Sequence, residues 1–152
     1  MEKRLFLDLD GVLADFDRGV EIVTGRRPDQ LSTREMWTAL SRAPDFFATL
    51  HMMRDAQELW DHCRPYRPVI LTGLPLGRWA EPQKRRWVAA MLGAEVEVIT
   101  CMARDKPRWS APGHILVDDR EKAREGWEGK GGTFILHRTT AATIGTLTAL
   151  GF

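Results

Sequence analysis

This sequence of 152 residues contains only two cysteines and one tyrosine, and its net charge is close to zero. The two cysteines, Cys63 and Cys101, form no CxxC or Cys/His pattern, which argues against a disulfide scaffold and a zinc site. With 22 Lys and Arg against 21 Asp and Glu, the formal net charge is +1, too balanced for a protein that coats a polyanion or a membrane surface. No stretch approaches the roughly 20 apolar residues of a membrane span. We therefore expect a cytoplasmic protein with neither polymeric nucleic acid nor membrane as a partner.

Short apolar runs alternate with segments of helical periodicity, which predicts an α/β fold with a mostly parallel sheet covered on both faces. Runs of strand length rich in Val, Ile, Leu or Phe lie at 5–9, 68–71, 96–100, 115–117 and 133–136. Helices are predicted at 12–24, 81–92, 120–127 and 139–150, and glycines follow the first three. At this length one domain, 1–152, is the expectation.

The stretch from about 19 to 54 interrupts the alternation, because two parallel strands are normally joined by one helix and here there is material for more. A capping-box pattern at Ser32 predicts a short helix within it. We predict a small helical cap insertion at about 19–54, on a core formed by 1–18 and 55–152. Composition alone leaves open whether the insertion only packs on the core or acts as a lid.

Polar side chains follow four of the predicted strands. The carboxyl ends of parallel strands share one edge of a sheet, where α/β folds bind their ligands. Carboxylates suit a hard cation, and a hydroxyl with an ammonium suits phosphate oxygens. Any one of these residues alone is more often a solvated turn acid, a helix cap or a surface lysine, so the order of the whole set carries the prediction. In strand order the set is Asp8 and Asp10, Thr72 and Gly73, Lys106, and Asp118 and Asp119.

This set resembles, in order, the four motifs of the haloacid dehalogenase superfamily of phosphohydrolases, and it spans Asp8 to Asp119. The resemblance implies a Rossmann-like parallel sheet flanked by helices, with a small helical cap. A closer resemblance is to the 5′(3′)-deoxyribonucleotidases (pyrimidine, cytosolic type). The sequence segments on which this resemblance rests are Asp8 to Asp17 with Phe16, Asp45-Phe46-Phe47, Arg104-Asp105-Lys106 and 115–120. The sequence departs from that family at Gly73, where a serine is typical, and its insertion is shorter than in the animal enzymes.

The resemblance implies hydrolysis of a phosphate monoester through an aspartyl-phosphate intermediate. Phosphate esters are inert enough that two displacements are chemically sensible. Asp8 would attack phosphorus, and Asp10 would protonate the leaving group and then deprotonate the attacking water. Thr72, Gly73 and Lys106 would hold the oxygens of the transferred group.

The resemblance also implies Mg²⁺ as cofactor, because a carboxylate nucleophile repels a phosphate dianion unless a cation intervenes. Asp8, the backbone carbonyl of Asp10 and Asp118 would hold the ion, with the substrate phosphate and waters. Asp119 is expected to orient Lys106 or a metal-bound water.

A substrate pocket is expected from Phe16, Trp37, Phe46 and Arg104. The chain has six Trp and six Phe against one Tyr, mostly as core residues, but an aromatic wall near Asp8 favours a planar group such as a base. A nucleoside monophosphate is therefore the expected substrate. The alternatives are another small phosphorylated metabolite, such as a sugar phosphate, and a non-catalytic phosphate- or metal-binding module of the same fold.

Two further expectations concern partners and the basic helix. A cap this small covers only a small substrate unless a partner subunit completes it, so a homodimer is considered. The basic run of Lys84, Arg85 and Arg86 lies beside Trp87 and is interpreted as part of an ordinary amphipathic helix, not as a nucleic-acid face.

Overall fold

The computed structural model describes residues 2–152 and contains one sheet of five parallel strands. In spatial order β3-β2-β1-β4-β5, the strands are β1 (Arg4–Leu7), β2 (Val69–Gly73), β3 (Val98–Cys101), β4 (His114–Asp118) and β5 (Thr133–Leu136). The predicted fold class is confirmed, and β5 has the predicted bounds. The first strand ends at Leu7 and not at Leu9, because Leu9 O already accepts the N–H groups of Leu13 and Ala14, each at 2.9 Å, in a turn.

Six α-helices lie between and after the strands, and the largest change from the predicted starts is at the first and fifth. The first begins at Phe16 and not at residue 12, because the Asp15 side chain caps it by accepting from Arg18 N at 3.2 Å. The predicted helix at 120–127 is a 3₁₀ turn, Glu121–Ala123, followed by one short α-helix. The helices are α1 (Phe16–Thr24), α2 (Thr33–Arg42), α3 (Ala56–Cys63), α4 (Ala80–Met91), α5 (Arg124–Glu128) and α6 (Thr140–Ala149).

Both faces of the sheet are buried, as a parallel sheet requires. Successive side chains point to opposite faces of a strand, so Leu5 and Leu7 join one apolar cluster and Phe6 between them joins another. The first cluster includes residues of α1, α3, α4 and α6, and the second is closed by Trp127 of α5. The sheet is thus a rigid layer whose carboxyl edge can hold side chains at fixed positions.

The segment between α1 and α3 is fastened to α4. Phe47 N donates to Gln83 Oε1 at 2.8 Å, and Trp87 Nε1 donates to Leu50 O at 2.8 Å. The first boundary of the predicted cap, at residue 19, falls inside α1, so one continuous helix joins the Asp8 loop to the insertion.

Within residues 2–152, none of the helices combines the length and the hydropathy that crossing a membrane requires. Both cysteines are free thiols. Burial raises the pKa of the Cys63 thiol to about 12, which makes it unreactive at neutral pH.

Candidate active site

Asp8 is the first residue after β1, and its backbone is fixed by the neighbouring strand. Asp8 N donates to Val117 O at 2.9 Å, and its side chain is buried. Lys106, also buried, lies on the 3₁₀ helix Ala103–Trp109 and donates to Asp8 Oδ1 and to Asp118 Oδ2, each at 2.9 Å. The structure therefore brings the ends of β1 and β4 together around one buried ammonium.

Three carboxylates crowd this cluster. Oxygen atoms of Asp8, Asp118 and Asp119 all lie within 4.8 Å of one another. Burial raises the pKa of Asp8 well above its ordinary value, Lys106 opposes the shift, and the neighbouring carboxylates add to it. Burial and the charge of Asp118 raise the pKa of Asp119 to about 6. The cluster thus holds more negative charge than Lys106 alone neutralises.

Gly11 leaves room for the third carboxylate. Its φ is +82°, which L side chains rarely adopt, and a Cβ there would overlap the Asp119 carboxylate. The glycine after Asp10 therefore turns the loop and also lets the Asp119 side chain pack directly on the backbone.

A second buried lysine, absent from the sequence prediction, holds Asp10. Lys84 of α4 donates to Asp10 Oδ2 at 2.8 Å, to Thr72 Oγ1 at 2.9 Å and to Gly73 O at 2.7 Å. Its grouping with Arg85 and Arg86 as a basic run of an amphipathic helix gave no indication of this contact. The signal in the sequence is its spacing, since it shares one helix face with Ala80, Trp87 and Val88, all buried.

The end of β2 is closely packed. Thr72 is fully buried, and its hydroxyl oxygen contacts Lys84. A Cβ on Gly73 would lie 3.2 Å from Ala103 Cβ, closer than ordinary packing distance. A serine at this position, which the resemblance leads one to expect, would require Ala103 to shift by a few tenths of an ångström.

A cavity of about 850 Å³ opens over these residues. Phe16, Met36 and Trp37 form an apolar wall on one side, with the Phe16 and Trp37 ring centroids 5.8 Å apart. Exposed cationic side chains stand on its rim, and within residues 2–152 none of them forms an ion pair. We call this set the basic rim: Arg104, Arg120, Lys122 and Arg138.

Phe46 does not line this cavity, so its assignment to the pocket is wrong. It is buried behind Phe16, with ring centroids 5.7 Å apart and planes at 86°, and it also packs edge-on against Phe47. The sequence could not separate the two adjacent phenylalanines from the pocket residues, because a 3₁₀ turn at Phe47–Thr49 sets their directions.

The chemistry of the donors fits Mg²⁺. Asp8, Asp118 and Asp119 offer hard oxygen atoms at one point, and the raised pKa values of Asp8 and Asp119 show that the cluster favours added positive charge. The three clustered carboxylates include Asp119, which was expected only to orient its neighbours. The Asp10 carboxylate faces Lys84, so a contribution of Asp10 through its backbone carbonyl stays a prediction.

No protein-family model and no curated protein matches this sequence. Solved structures do match the fold. L-2-haloacid dehalogenase from Xanthobacter autotrophicus superposes with a TM-score of 0.61 at 14% identity, over 100% of this chain and 84% of that one. The chain has the haloacid dehalogenase-like fold.

Other proteins with the haloacid dehalogenase-like fold match as well. A hydrolase from Streptococcus pneumoniae gives a TM-score of 0.57 at 12% identity, covering 97% of this chain and 100% of its own. A haloacid dehalogenase family enzyme from Bacteroides thetaiotaomicron, in complex with magnesium and inorganic phosphate, gives 0.51 at 14% identity, covering 91% and 95%. At these identities the likeness shows the fold, and the chemistry has to be argued from this chain's own residues.

Proposed function

We propose that this protein is a Mg²⁺-dependent phosphomonoester hydrolase that acts through an aspartyl-phosphate intermediate. The observation that carries the proposal is the buried cluster in which Lys106 joins Asp8 to Asp118, with the Asp119 carboxylate beside them. A nucleophilic carboxylate, an ammonium for the phosphoryl oxygens and a set of hard ligands are what this reaction needs in one place.

In the first step an Asp8 oxygen bonds to phosphorus, and the ester oxygen leaves with the bonding electron pair and takes a proton from Asp10. In the second step water gives a proton to Asp10 and attacks phosphorus, and the electron pair of the Asp8–phosphorus bond returns to Asp8. Lys106 stabilises the charge on the transferred group. Mg²⁺, when held by the carboxylate cluster, would screen the repulsion between Asp8 and the phosphate dianion.

Deoxyribonucleoside monophosphates are the substrates we propose. The cavity of about 850 Å³ has room beyond a phosphate group, and its apolar wall of Phe16, Met36 and Trp37 suits a planar base. The basic rim, which includes Arg104, favours the approach of an anionic molecule.

Phosphate release tests the proposal, measured with and without Mg²⁺ on deoxyribonucleoside monophosphates, sugar phosphates and 4-nitrophenyl phosphate. We expect release that chelator abolishes, a preference for the nucleotides, and no turnover by the Asp8→Asn variant. Asp61→Asn, at an exposed acid of α3, is the matched control and keeps full activity. Wild-type turnover by Asp8→Asn would refute the assignment of the nucleophile.

The same panel separates the alternative functions. A clear preference for sugar phosphates would refute the nucleotidase proposal but would agree with the proposed reaction through an aspartyl-phosphate. Because the Xanthobacter enzyme with this fold is a dehalogenase, L-2-chloropropionate with chloride detection belongs in the panel. Halide leaves without a proton, so the Asp10–Lys84 arrangement supports an ester with an alkoxide leaving group instead. Mg²⁺ binding without turnover of any ester would indicate a non-catalytic module.

Three further proposals concern the surroundings of the site. Segment 19–54 serves as the cap of a core formed by 1–18 and 55–152, which is supported by Met36 and Trp37 lining the same cavity as Asp8 and Asp10. The protein acts in the cytoplasm, which two free thiols support. The protein forms a homodimer, which light scattering tests. Its substrates are small phosphorylated molecules, and its partners include neither polymeric nucleic acid nor membranes.

A further inference from the structure

Lys84 is buried in an apolar helix face, where an unpaired ammonium would be very costly. It is 2% exposed, and its ammonium lies 4.6 Å from the ring centroid of Phe47. A methionine would fill the same space without burying an ammonium. The charge at this position therefore suggests that the ammonium has a function.

All the hydrogen-bonding capacity of Lys84 is used within the protein. An ammonium has three N–H donors. The acceptors are Asp10 Oδ2, Thr72 Oγ1 and Gly73 O, all between 2.7 and 2.9 Å. Lys84 therefore has no donor left for a substrate oxygen, although it borders the cavity. Lys106 differs, because two acceptors account for its contacts and its third N–H is available.

The two oxygens of Asp10 are consequently unequal. Oδ2 is held by Lys84, whereas Oδ1 is buried and has no hydrogen-bond partner in residues 2–152. Within residues 2–152 the contact to Lys84 is therefore the only hydrogen bond that fixes the Asp10 carboxyl. Asp10 itself lines the cavity.

We propose that Lys84 is a positioning residue that holds the Asp10 carboxyl in place at the cavity for the proton exchange. This inference rests on the proposed function. When the ester bond breaks, the O–H bond of the protonated Asp10 carboxyl breaks too and the proton moves to the leaving alkoxide. In the second step a proton of the attacking water moves back to the Asp10 carboxylate. Lys84 keeps its three contacts throughout, while Lys106 serves the phosphoryl group.

The test compares two esters that share a phosphoryl group and differ in the leaving group. 4-Nitrophenolate leaves without protonation, whereas the 5′-alkoxide of a deoxyribonucleoside monophosphate needs a proton. Hydrolysis of the phosphoenzyme is common to both esters, so the comparison uses kcat/KM, which covers only the steps up to loss of the leaving group. In Lys84→Met we expect kcat/KM for the nucleotide to fall by about 100-fold or more, the usual contribution of a general acid, and kcat/KM for 4-nitrophenyl phosphate by less than about 10-fold. Competitive inhibition by inorganic phosphate stays within about 3-fold of wild type, because Lys84 has no free donor.

Two comparison variants make the result specific. Asp10→Asn should show the same selective loss of kcat/KM for the nucleotide, and adding Lys84→Met to it should lower kcat/KM by less than about 3-fold more, since the two residues act as one unit. Lys106→Met should impair both esters and weaken phosphate inhibition. Circular dichroism checks folding, and if Lys84→Met does not fold, Lys84→Gln goes through the same comparison.

Equal losses for both esters in the Lys84 variant, together with weaker phosphate inhibition, would make Lys84 a phosphate ligand and overturn the inference. An additive effect in the double variant would overturn it too. If the wild-type protein hydrolyses neither ester, the proposed function itself fails. The two failures are therefore distinguishable by the wild-type control.

Discussion

Replacing Asp119 by asparagine should stabilise the protein when no metal is bound. The Asp119 pKa rises from 3.8 to about 6 on folding, so the folded state holds the proton more tightly than the unfolded state does. Stability from this group is therefore present below its unfolded pKa and is lost as the pH rises through about 6. Above that pH, the charged carboxylate opposes folding.

The size of the effect follows from the shift. About two pKa units at roughly 1.4 kcal/mol each give about 3 kcal/mol, which solvent screening of this partly exposed side chain reduces to about 1–2 kcal/mol. The introduced asparagine has the same shape as the aspartate and can still pack against Gly11, so the substitution removes charge and little else. The melting temperature should rise by about 2–8 °C.

Urea unfolding in EDTA measures this gain, with Glu97→Gln at an exposed acid outside the site as the control. The gain should be largest near pH 7 and should shrink as the pH falls towards about 4. Excess Mg²⁺ should cancel or reverse it, because the wild-type cluster binds the ion more tightly than the variant does. A variant that is no more stable than wild type in EDTA near pH 7 would refute the electrostatic reasoning.

Three other substitutions test separate features. Gly11→Ala should cost about 1–2 kcal/mol from the positive φ alone and should abolish phosphate release by displacing Asp119; unchanged melting and activity would contradict it. Burial, followed by the charge of Arg138, lowers the pKa of His137, so protonation of His137 opposes folding. The stability of the wild type relative to His137→Gln should therefore fall as the pH drops below 6.5. A pH-independent difference in urea unfolding would argue against this. Trp37→Ala should raise KM for a deoxyribonucleoside monophosphate by about 5- to 100-fold, a typical stacking contribution, with little change for glycerol phosphate; equal changes for both would remove the base-binding role.

The positions of the strands along the chain and the residues at their ends could be predicted because both follow from local patterns. Apolar runs located all five strands, and the ends of β1 and β4 placed Asp8 and Asp118 at one edge. The position of Asp119 in the carboxylate cluster could not be predicted, because it depends on the close contact of its side chain with the Gly11 backbone.

Lys84 and Phe46 show where local patterns fail. Lys84 was grouped with Arg85 and Arg86, whose side chains are exposed, although its own helical spacing puts it on the buried face. Phe46 was expected in the pocket, yet a 3₁₀ turn directs it into the core. Both cases concern the direction of one side chain among neighbours of the same type. The helical spacing indicates the direction of Lys84, whereas only the tertiary packing decides that of Phe46.

Helix α4 sets a condition for engineering the specificity of this protein. Its residues Gln83 and Trp87 fasten the segment that carries Phe47 and Leu50, and Lys84, between them, holds Asp10. An insertion grafted from another protein to accept a larger substrate would therefore have to offer its backbone to the same two side chains, Gln83 and Trp87. A graft that joins the chain ends but leaves Gln83 and Trp87 without partners would alter the acid–base machinery along with the pocket.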